Sequence, residues 1–143
     1  MTDQRNLGAG PRFIDEGRTA GAATKTGRSV VISGATYVHT GADQSEGLVL
    51  LIPDVSRGQT EDADIASGDQ VRAAYVLPGQ TCEARVTNTG AVAVGDPLAK
   101  IAGGILAKAG SGKNIVARAE EALEANSSDS LCLVRAVGGQ DTA

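Results

Sequence analysis

Residues 70–87 read QVRAAYVLPGQTCEARVT, and this stretch carries the clearest structural pattern in the chain. Apolar or small side chains alternate with other side chains along 71–77 and again along 82–86, which is the period of a β-strand. Between the two runs, Pro78 presets the φ angle of a turn and Gly79 accepts a positive φ. The stretch therefore predicts two antiparallel strands joined as a hairpin.

The segment AVAVGDPLAKIAGGILAKAG (91–110) is rich in glycine and carries lysines, so it raises the question of a phosphate site. A Walker loop requires G-x-x-x-x-G-K-[ST], but Ala107 stands at the first glycine position and Asn114 replaces the hydroxyl residue. The pair Gly103–Gly104 instead predicts a tight reversal between the strands LAKI and ILAKA. We therefore expect a second hairpin and no phosphate-binding site.

Three further segments are typical of strands: RSVVIS (28–33), ATYVHT (35–40) and GLVLLIP (47–53). The C-terminal LCLVRAV predicts a closing strand. Between them, 114–125 is ambiguous, because ARAEEALEA favours a helix by propensity while NIVARA alternates like a strand. We predict a strand through NIVARA, a loose or helical turn near EEALEA and a turn at Asn126–Asp129.

Composition supports an all-β fold. The chain has 143 residues, 19 glycines and only three aromatic side chains, so its core is built from Val, Ile, Leu and Ala. Such a core suits short β-strands joined by many turns. The fold class predicted is a small β-barrel or β-sandwich, β-tulip-like, with an extended N-terminal arm and at most one short helix.

The charge and hydropathy of the chain exclude several function classes. A net charge of −4 and the scarcity of aromatics argue against nucleic-acid binding. The longest apolar run, GLVLLIP, is too short to cross a bilayer, and the N-terminus lacks the apolar core of a secretory signal. We expect synthesis in a cytoplasm, no membrane partner and no nucleic-acid partner.

Few residues of the sequence are candidates for catalysis or for metal binding. Cys82 and Cys132 lack zinc-site spacing, and we favour two buried thiols over a disulfide. His39 has no acidic or thiol neighbour in sequence, although any Ser–His–acid catalysis would have to use it. The acidic cluster Glu61, Asp62 and Asp64 lacks the order of a calcium loop and is typical of a solvated loop. We expect no enzyme, no cofactor and no metal site.

The N-terminal segment differs from the rest. Residues 1–27 are polar and glycine-rich, with Phe13 and Ile14 as their only sizeable apolar pair. Such a segment buries too little apolar surface to order itself. We predict an extended N-terminal arm at 1–27, a β-barrel domain at 28–137 and a flexible tail at 138–143. A tail without a partner is the alternative for the first segment.

Several segments together resemble the capsid decoration (cement) proteins of tailed bacteriophages. They are RFIDEG near the start, AVAVGDPLAKIAGGILAKA, NIVARAEEA and the terminal LCLVRAV, and the resemblance covers roughly 12–20 and 90–137. The resemblance implies a small β-barrel or β-tulip that binds the outer surface of the expanded head. It further implies that the protein bridges subunits of the major capsid protein, stabilises the shell, acts as a homotrimer and is located in the virion.

Under that reading, the arm carries the capsid-binding residues. Phe13 and Ile14 would supply apolar contacts, and Arg12 and Arg18 would pair with capsid carboxylates. Two alternatives stay open, namely a tail-fibre module that binds a ligand and a head–tail joining protein. Sugar-binding faces usually offer exposed aromatic rings, and this chain has only three aromatics in all.

Overall fold

The protein is all-β, which confirms the predicted fold class. The computed structural model describes residues 13–42, 47–54, 59, 63–88, 90–110, 112–124 and 126–137. In these residues no helix is long and apolar enough to cross a membrane. The strands are β1 (Phe13–Ala20), β2 (Thr24–Lys25), β3 (Val30–Ser33), β4 (Thr36–His39), β5 (Leu48–Ile52), β6 (Asp64–Ile65), β7 (Gln70–Val76), β8 (Thr81–Asn88), β9 (Pro97–Ile101), β10 (Ile105–Lys108), β11 (Ala117–Ala119) and β12 (Asn126–Ala136).

The strands form two layers. A five-stranded sheet has the order β3-β4-β1-β7-β5, and a closed barrel has the order β10-β8-β12-β11-β9. Strands β2 and β6 make a separate two-stranded ribbon. One face of β5 and β7 shares a single apolar core with the inward side chains of the barrel, so the sheet packs on the barrel. The opposite face of the sheet holds a second, smaller core.

The strands predicted at 70–87 are present, but the hairpin prediction is wrong. The turn forms as expected, with Gly79 at φ 90° and the Gln80 N–H donating to the Leu77 carbonyl. The two strands then enter different layers, because β7 pairs with β1 and β5 while β8 pairs with β10 and β12. Alternation fixes which side chains face a core, and here both strands face the shared core from opposite sides.

The second predicted hairpin is confirmed. Strands β9 and β10 pair antiparallel, with Ile101 opposite Ile105 and Leu98 opposite Lys108. The reversal lies at Gly103–Gly104, where both glycines have positive φ. Each strand continues the barrel, since β9 also pairs with β11 and β10 also pairs with β8. The glycines of this segment make turns, as the sequence indicates.

The arm predicted at 1–27 is corrected for its described part. Residues 13–20 form β1, which lies inside the five-stranded sheet between β4 and β7. Strand β1 pairs with β7 between Phe13 and Thr19 and with β4 only at Thr19 and Ala20. This pairing supplies partners for much of its backbone, so the polar strand needs little apolar surface of its own. Residues 24–25 form β2 and pair with β6. The arm prediction now concerns only 1–12, which, like the tail at 138–143, lie outside the described residues.

The region after residue 114 also differs from expectation. Strand β11 covers only Ala117–Ala119, and 120–124 is irregular, with Leu123 bridged to Val92. The turn predicted at Asn126–Asp129 is wrong, because these residues begin β12. Their pairing with β8 is irregular, with a register shift between Asn126 and Ser130. Turn-favouring residues thus occupy a bulged part of a long strand, which tolerates their local hydrogen-bonding tendency.

Residues 26–29 join the sheet to the barrel. On the sheet side, the Gly27 N–H donates to the Leu51 carbonyl at 2.7 Å, and the Leu51 N–H donates to the Arg28 carbonyl at 3.0 Å. On the barrel side, the Arg85 N–H donates to the Gly27 carbonyl at 2.8 Å. The short segment therefore pairs with a sheet strand on one side and a barrel strand on the other.

Charged side chains reinforce this junction. Asp129 of β12 lies between two arginines, with 3.3 Å to Nη2 of Arg28 and 3.6 Å to Nη1 of Arg85. The Arg85 guanidinium is buried, and its Nε donates to the Thr26 carbonyl at 2.9 Å. A shared carboxylate and a backbone acceptor offset the cost of burying this charge. Arg28 and Asp129 thus link the sheet side of the molecule to the barrel.

Gly104 is required by a close backbone approach at the same junction. Its carbonyl accepts the Ser29 N–H at 2.7 Å, and its own N–H donates to the Thr40 carbonyl at 3.3 Å. Its φ is 74°, and a Cβ at this position would overlap the Ser29 carbonyl oxygen. Gly112 has a similar φ of 80°, but a Cβ there would meet nothing within 4 Å.

We predict that Gly104→Ala destabilises the fold by about 1–3 kcal/mol more than Gly112→Ala. Both substitutions place alanine at positive φ and share that backbone cost, about 1–2 kcal/mol. Only the first also forces Cβ against a backbone oxygen that cannot move without breaking the junction. Urea unfolding of both variants measures the difference, and equal losses would contradict the role given to this contact.

Candidate functional site

The predicted capsid-binding residues that the structure describes differ in their surroundings. Arg12 lies outside the described residues. Phe13 and Ile14 are consecutive in β1 and point to opposite faces of the sheet. Ile14 is half-buried and packs against the shared core, whereas Phe13 is 64% exposed. Of this apolar pair, only Phe13 therefore offers a large surface to a partner.

All three aromatic side chains of the protein lie together on the outer face of the sheet. The Phe13 ring meets the Tyr75 ring edge-on, with centroids 5.1 Å apart and planes at 82°. The hydroxyl of Tyr37 is 3.3 Å from that of Tyr75. We call Phe13, Tyr37 and Tyr75 the aromatic cluster. Its formation follows from register, since Phe13 is directly opposite Tyr75.

A carboxylate and a guanidinium complete the surroundings of the cluster. The Tyr37 hydroxyl donates to Oδ2 of Asp15 at 2.6 Å, and Arg18 forms an ion pair with the same carboxylate. The Arg18 guanidinium also lies 5.8 Å from the centre of the Tyr37 ring, within cation–π range. Arg18 thus has a carboxylate partner within the chain, and its pairing with a capsid carboxylate stays a prediction.

These contacts fix the protonation states. The hydrogen bond from Tyr37 and a second from the Gly17 N–H lower the pKa of Asp15 below its usual value. Burial, followed by the hydrogen bond to Asp15, raises the pKa of the Tyr37 phenol. The stable state therefore pairs an ionised carboxylate with a neutral phenol. A phenol held neutral in this way is suited to positioning rather than to proton transfer near neutral pH.

An apolar cavity of about 290 Å³ lies beside the cluster. Its walls come from β3 and the start of β5, with the two tyrosines between them. Lys100 of β9 is 2% exposed and reaches the cavity, where its Nζ donates to the Gly47 carbonyl at 3.3 Å. The lining residues are Val30, Val31, Ile32, Tyr37, Thr40, Gly47, Val49, Tyr75 and Lys100.

The cavity exists because the five-stranded sheet curls without closing. Its two end strands are β3 and β5, and the only bridge between them in the described residues joins Ser29 to Leu50. Beyond that bridge, Val31 and Ile32 lie on one side of the opening and Val49 lies on the other. The end of the sheet therefore presents an apolar opening flanked by two strands.

His39 does not resemble a catalytic histidine. Its Nε2 is 2.7 Å from Oγ1 of Thr24, a hydroxyl on the neighbouring ribbon. Burial and the charge of Arg28 lower the pKa of the imidazole below 6.5. A general base paired with a hydroxyl needs its charged form stabilised, as an acidic partner does in a Ser–His–acid triad. Burial and Arg28 instead disfavour the charged form of His39. The His39–Thr24 pair is therefore suited to holding β4 against β2.

Of the other candidate residues, the two cysteines are buried and Asp64 is paired within the β2–β6 ribbon. Cys82 and Cys132 are both free and fully buried, which confirms the expectation of buried thiols. Asp64 lies 3.5 Å from Nζ of Lys25, its partner in the ribbon, while Glu61 and Asp62 lie outside the described residues. Within the described ranges, no group of three His, Cys, Asp or Glu side chains could hold a metal ion.

The sequence does not reveal the aromatic cluster or the cavity. Phe13, Tyr37 and Tyr75 are far apart in the chain, and Asp15 stands in a segment expected to be an arm. One signal was available, because Phe13 and Asp15 have the spacing of two residues on one face of a strand. Recognising it requires knowing that β1 lies beside β7, and local patterns do not specify that pairing.

Comparison with solved structures gives a similarity in fold, whereas comparisons of the sequence give no match. No protein-family model matches the sequence, and no curated protein matches it significantly. The fold is similar to the crystal structure of the head fiber gp8.5 N base of bacteriophage phi29, with a TM-score of 0.57. The sequence identity is 14%, and the match covers 90% of this chain and 94% of that chain. The two proteins therefore share a fold along nearly their whole lengths.

We predict that the stability of the protein decreases as pH falls through the titration of His39. The folded state disfavours the imidazolium, so the unfolded chain, with a pKa near 6.5, binds the proton more readily. The contribution of neutral His39 is complete above about pH 6.5 and is lost as pH falls through its lower folded pKa. Urea unfolding from about pH 5 to pH 8 measures the slope.

The matched variant is His39→Gln, whose amide can still bond to Thr24 but does not titrate. Its unfolding free energy should vary less with pH across this window than that of the wild type. Parallel pH curves for the two proteins would show that the environment of His39 does not disfavour its charged form.

Proposed function

We propose that the protein is a structural component of a phage virion that decorates the outer surface of the head. One observation carries the proposal, namely the similarity over nearly the full length of both chains to the base of a phage head fiber. The decoration role agrees with the resemblance of the GDPL turn and the neighbouring strands to cement proteins. In this role the protein binds the major capsid protein of the expanded shell and stabilises it.

The distribution of exposed apolar side chains supports a binding role for the five-stranded sheet. Phe13 is 64% exposed, Ile32 44%, Val31 38% and Val38 36%, and all four belong to this sheet. Val31 and Val38 are directly opposite each other on β3 and β4, so their surfaces adjoin. Ile32 is opposite Tyr37 and lies on the other face, so exposed apolar surface occurs on both faces of the sheet. Exposed apolar surface of this kind marks interaction sites. We propose that this sheet, rather than the barrel, faces the shell.

A structural role also accounts for the surroundings of the polar groups. Arg18, Asp15 and Tyr37 bond to one another, and His39 bonds to a threonine beside an arginine. Decoration requires many modest contacts repeated by the symmetry of the shell, and it requires no reactive group. We therefore propose that the protein is not an enzyme and that it acts as a homotrimer on the capsid.

A second candidate is that the chain is the base of a fibre rather than a cement protein. The description of the similar structure as a head-fiber base favours this reading directly. The two roles differ in what projects from the bound protein, because a fibre base carries a fibre and a cement protein does not. Electron microscopy of the virion at the bound positions therefore separates them.

We predict that purified protein co-sediments with expanded heads of its phage and not with unexpanded ones. The expanded shell exposes the repeated surface that a decoration protein bridges, so binding should saturate at a fixed copy number. Quantifying bound protein per head measures that number. Absence of binding to either form of head would exclude both the decoration role and the head-fibre role.

A further prediction concerns the arm. Deleting 1–12 should weaken attachment to expanded heads while leaving the circular dichroism spectrum unchanged, because β1 begins at Phe13 and stays intact. Deleting 138–143 provides a matched control, since it removes another terminal segment outside the described residues. Equal binding by both deletion variants and the wild type would contradict an anchoring role for the arm.

A further inference from the structure

The end strand β3 has one edge that pairs with no other described strand. It pairs with β4 on one side, and toward β5 the connection ends at the bridge between Ser29 and Leu50. Natural edge strands are usually blunted by charges, prolines or coverage. Strand β3 reads VVIS and carries none of these residues, and both Val31 and Ile32 are exposed. Such an edge is suited to pairing with another strand.

The apolar cavity lies directly beside this edge. Its volume, about 290 Å³, is at the lower end of the range for ligand pockets and suits one or two apolar side chains. Recognition by strand addition uses the same two elements, a free strand edge for backbone hydrogen bonds and a pocket for alternate side chains. The protein places both elements within one opening.

We propose that this opening receives an extended segment of the major capsid protein, which pairs with β3 and inserts an apolar side chain into the cavity. The inference rests on the proposed function and names the surface through which it operates. The inserted segment is apolar and alternating, because successive side chains must point into the cavity and toward the outside.

The geometry of the opening favours a single strand over a second copy of this chain. The far wall of the cavity is β5, through Gly47 and Val49, so a strand added to β3 has a wall on its other side. Strand β3 of a second copy would bring its paired neighbour β4 into the space that β5 occupies. An extended segment with no strand partner of its own fits without that conflict.

Charge complementarity defines the chemistry of the segment further. Lys100 is the one Lys, Arg, Asp or Glu side chain among the described residues that line the cavity, and it is buried. A carboxylate brought in by the partner would meet an ammonium in surroundings of low polarity, where such a pair is strong. The segment should therefore carry one Asp or Glu two residues from the apolar side chain that enters the cavity, so that both side chains point inward.

The test compares Ile32→Lys with Val94→Lys in the full chain. Ile32 is 44% exposed at the opening, and Val94 is 63% exposed in a turn on the barrel side, so both variants should fold. Ile32→Lys places a charge on the β3 edge and should reduce binding to expanded heads at least tenfold. Val94→Lys should bind like the wild type.

Each outcome distinguishes the inference from the function on which it rests. If the wild type fails to bind heads, the proposed function is wrong. If the wild type and Ile32→Lys bind heads equally, the function survives and the β3 site is wrong. Sedimentation velocity is run in parallel, and loss of an oligomer in Ile32→Lys without loss of head binding would identify a second copy as the occupant and overturn the proposal.

Two direct measurements complete the test. Hydrogen exchange on head-bound protein should show new protection at 30–33 and 47–49, and unchanged exchange there would overturn strand addition. A synthetic peptide of alternating Val and Thr with one central Glu should bind the free protein more tightly than the same peptide with Gln. Equal affinities of the two peptides would exclude the carboxylate contact.

Discussion

The architecture depends on the way in which 26–29 pair with two layers at once. The backbone of these residues bonds to β5 of the sheet and to β8 of the barrel, and Ser29 bonds to the β9–β10 turn. Thr26 and Ser29 are both almost fully buried, so these hydrogen bonds form away from water, where an unmade bond is costly. The absence of side chains at Gly27 and Gly104 lets the layers approach closely. The position of β3 beside the opening of the sheet follows from this junction, because Val30 comes directly after it.

Aliphatic and aromatic side chains occupy different parts of the fold. The shared core of sheet and barrel is made of aliphatic and small side chains, including the two cysteines. The three aromatics lie instead on the outer face of the sheet, where the Tyr37 hydroxyl bonds to Asp15, the carboxylate that also pairs with Arg18. Small side chains allow the strands of a narrow barrel to close, because its interior has little room. The two tyrosine rings line the cavity at the opening of the sheet.

Local patterns in the sequence predict most strands, the β9–β10 hairpin and the all-β class, because alternation and turn chemistry act over a few residues. They fail where pairing is decided at long range. The alternation of 70–87 specifies a buried face for each strand, but two strands facing one core from opposite sides satisfy it as well as a hairpin does. Phe13–Ala20 looks too polar to order itself, yet pairing with β7 along most of its length and with β4 at its end incorporates it. The aromatic cluster could not be predicted, since it depends on that same pairing.

Closure of the barrel limits how molecules of this kind can associate. A closed ring of strands leaves no edge for another chain to extend, so within the described strands the barrel cannot serve as a template for growth. The five-stranded sheet has one opening, between its end strands. Among the described strands of the barrel and the five-stranded sheet, strand addition is therefore limited to this one opening. A unit that accepts a strand at one opening terminates a sheet instead of propagating it.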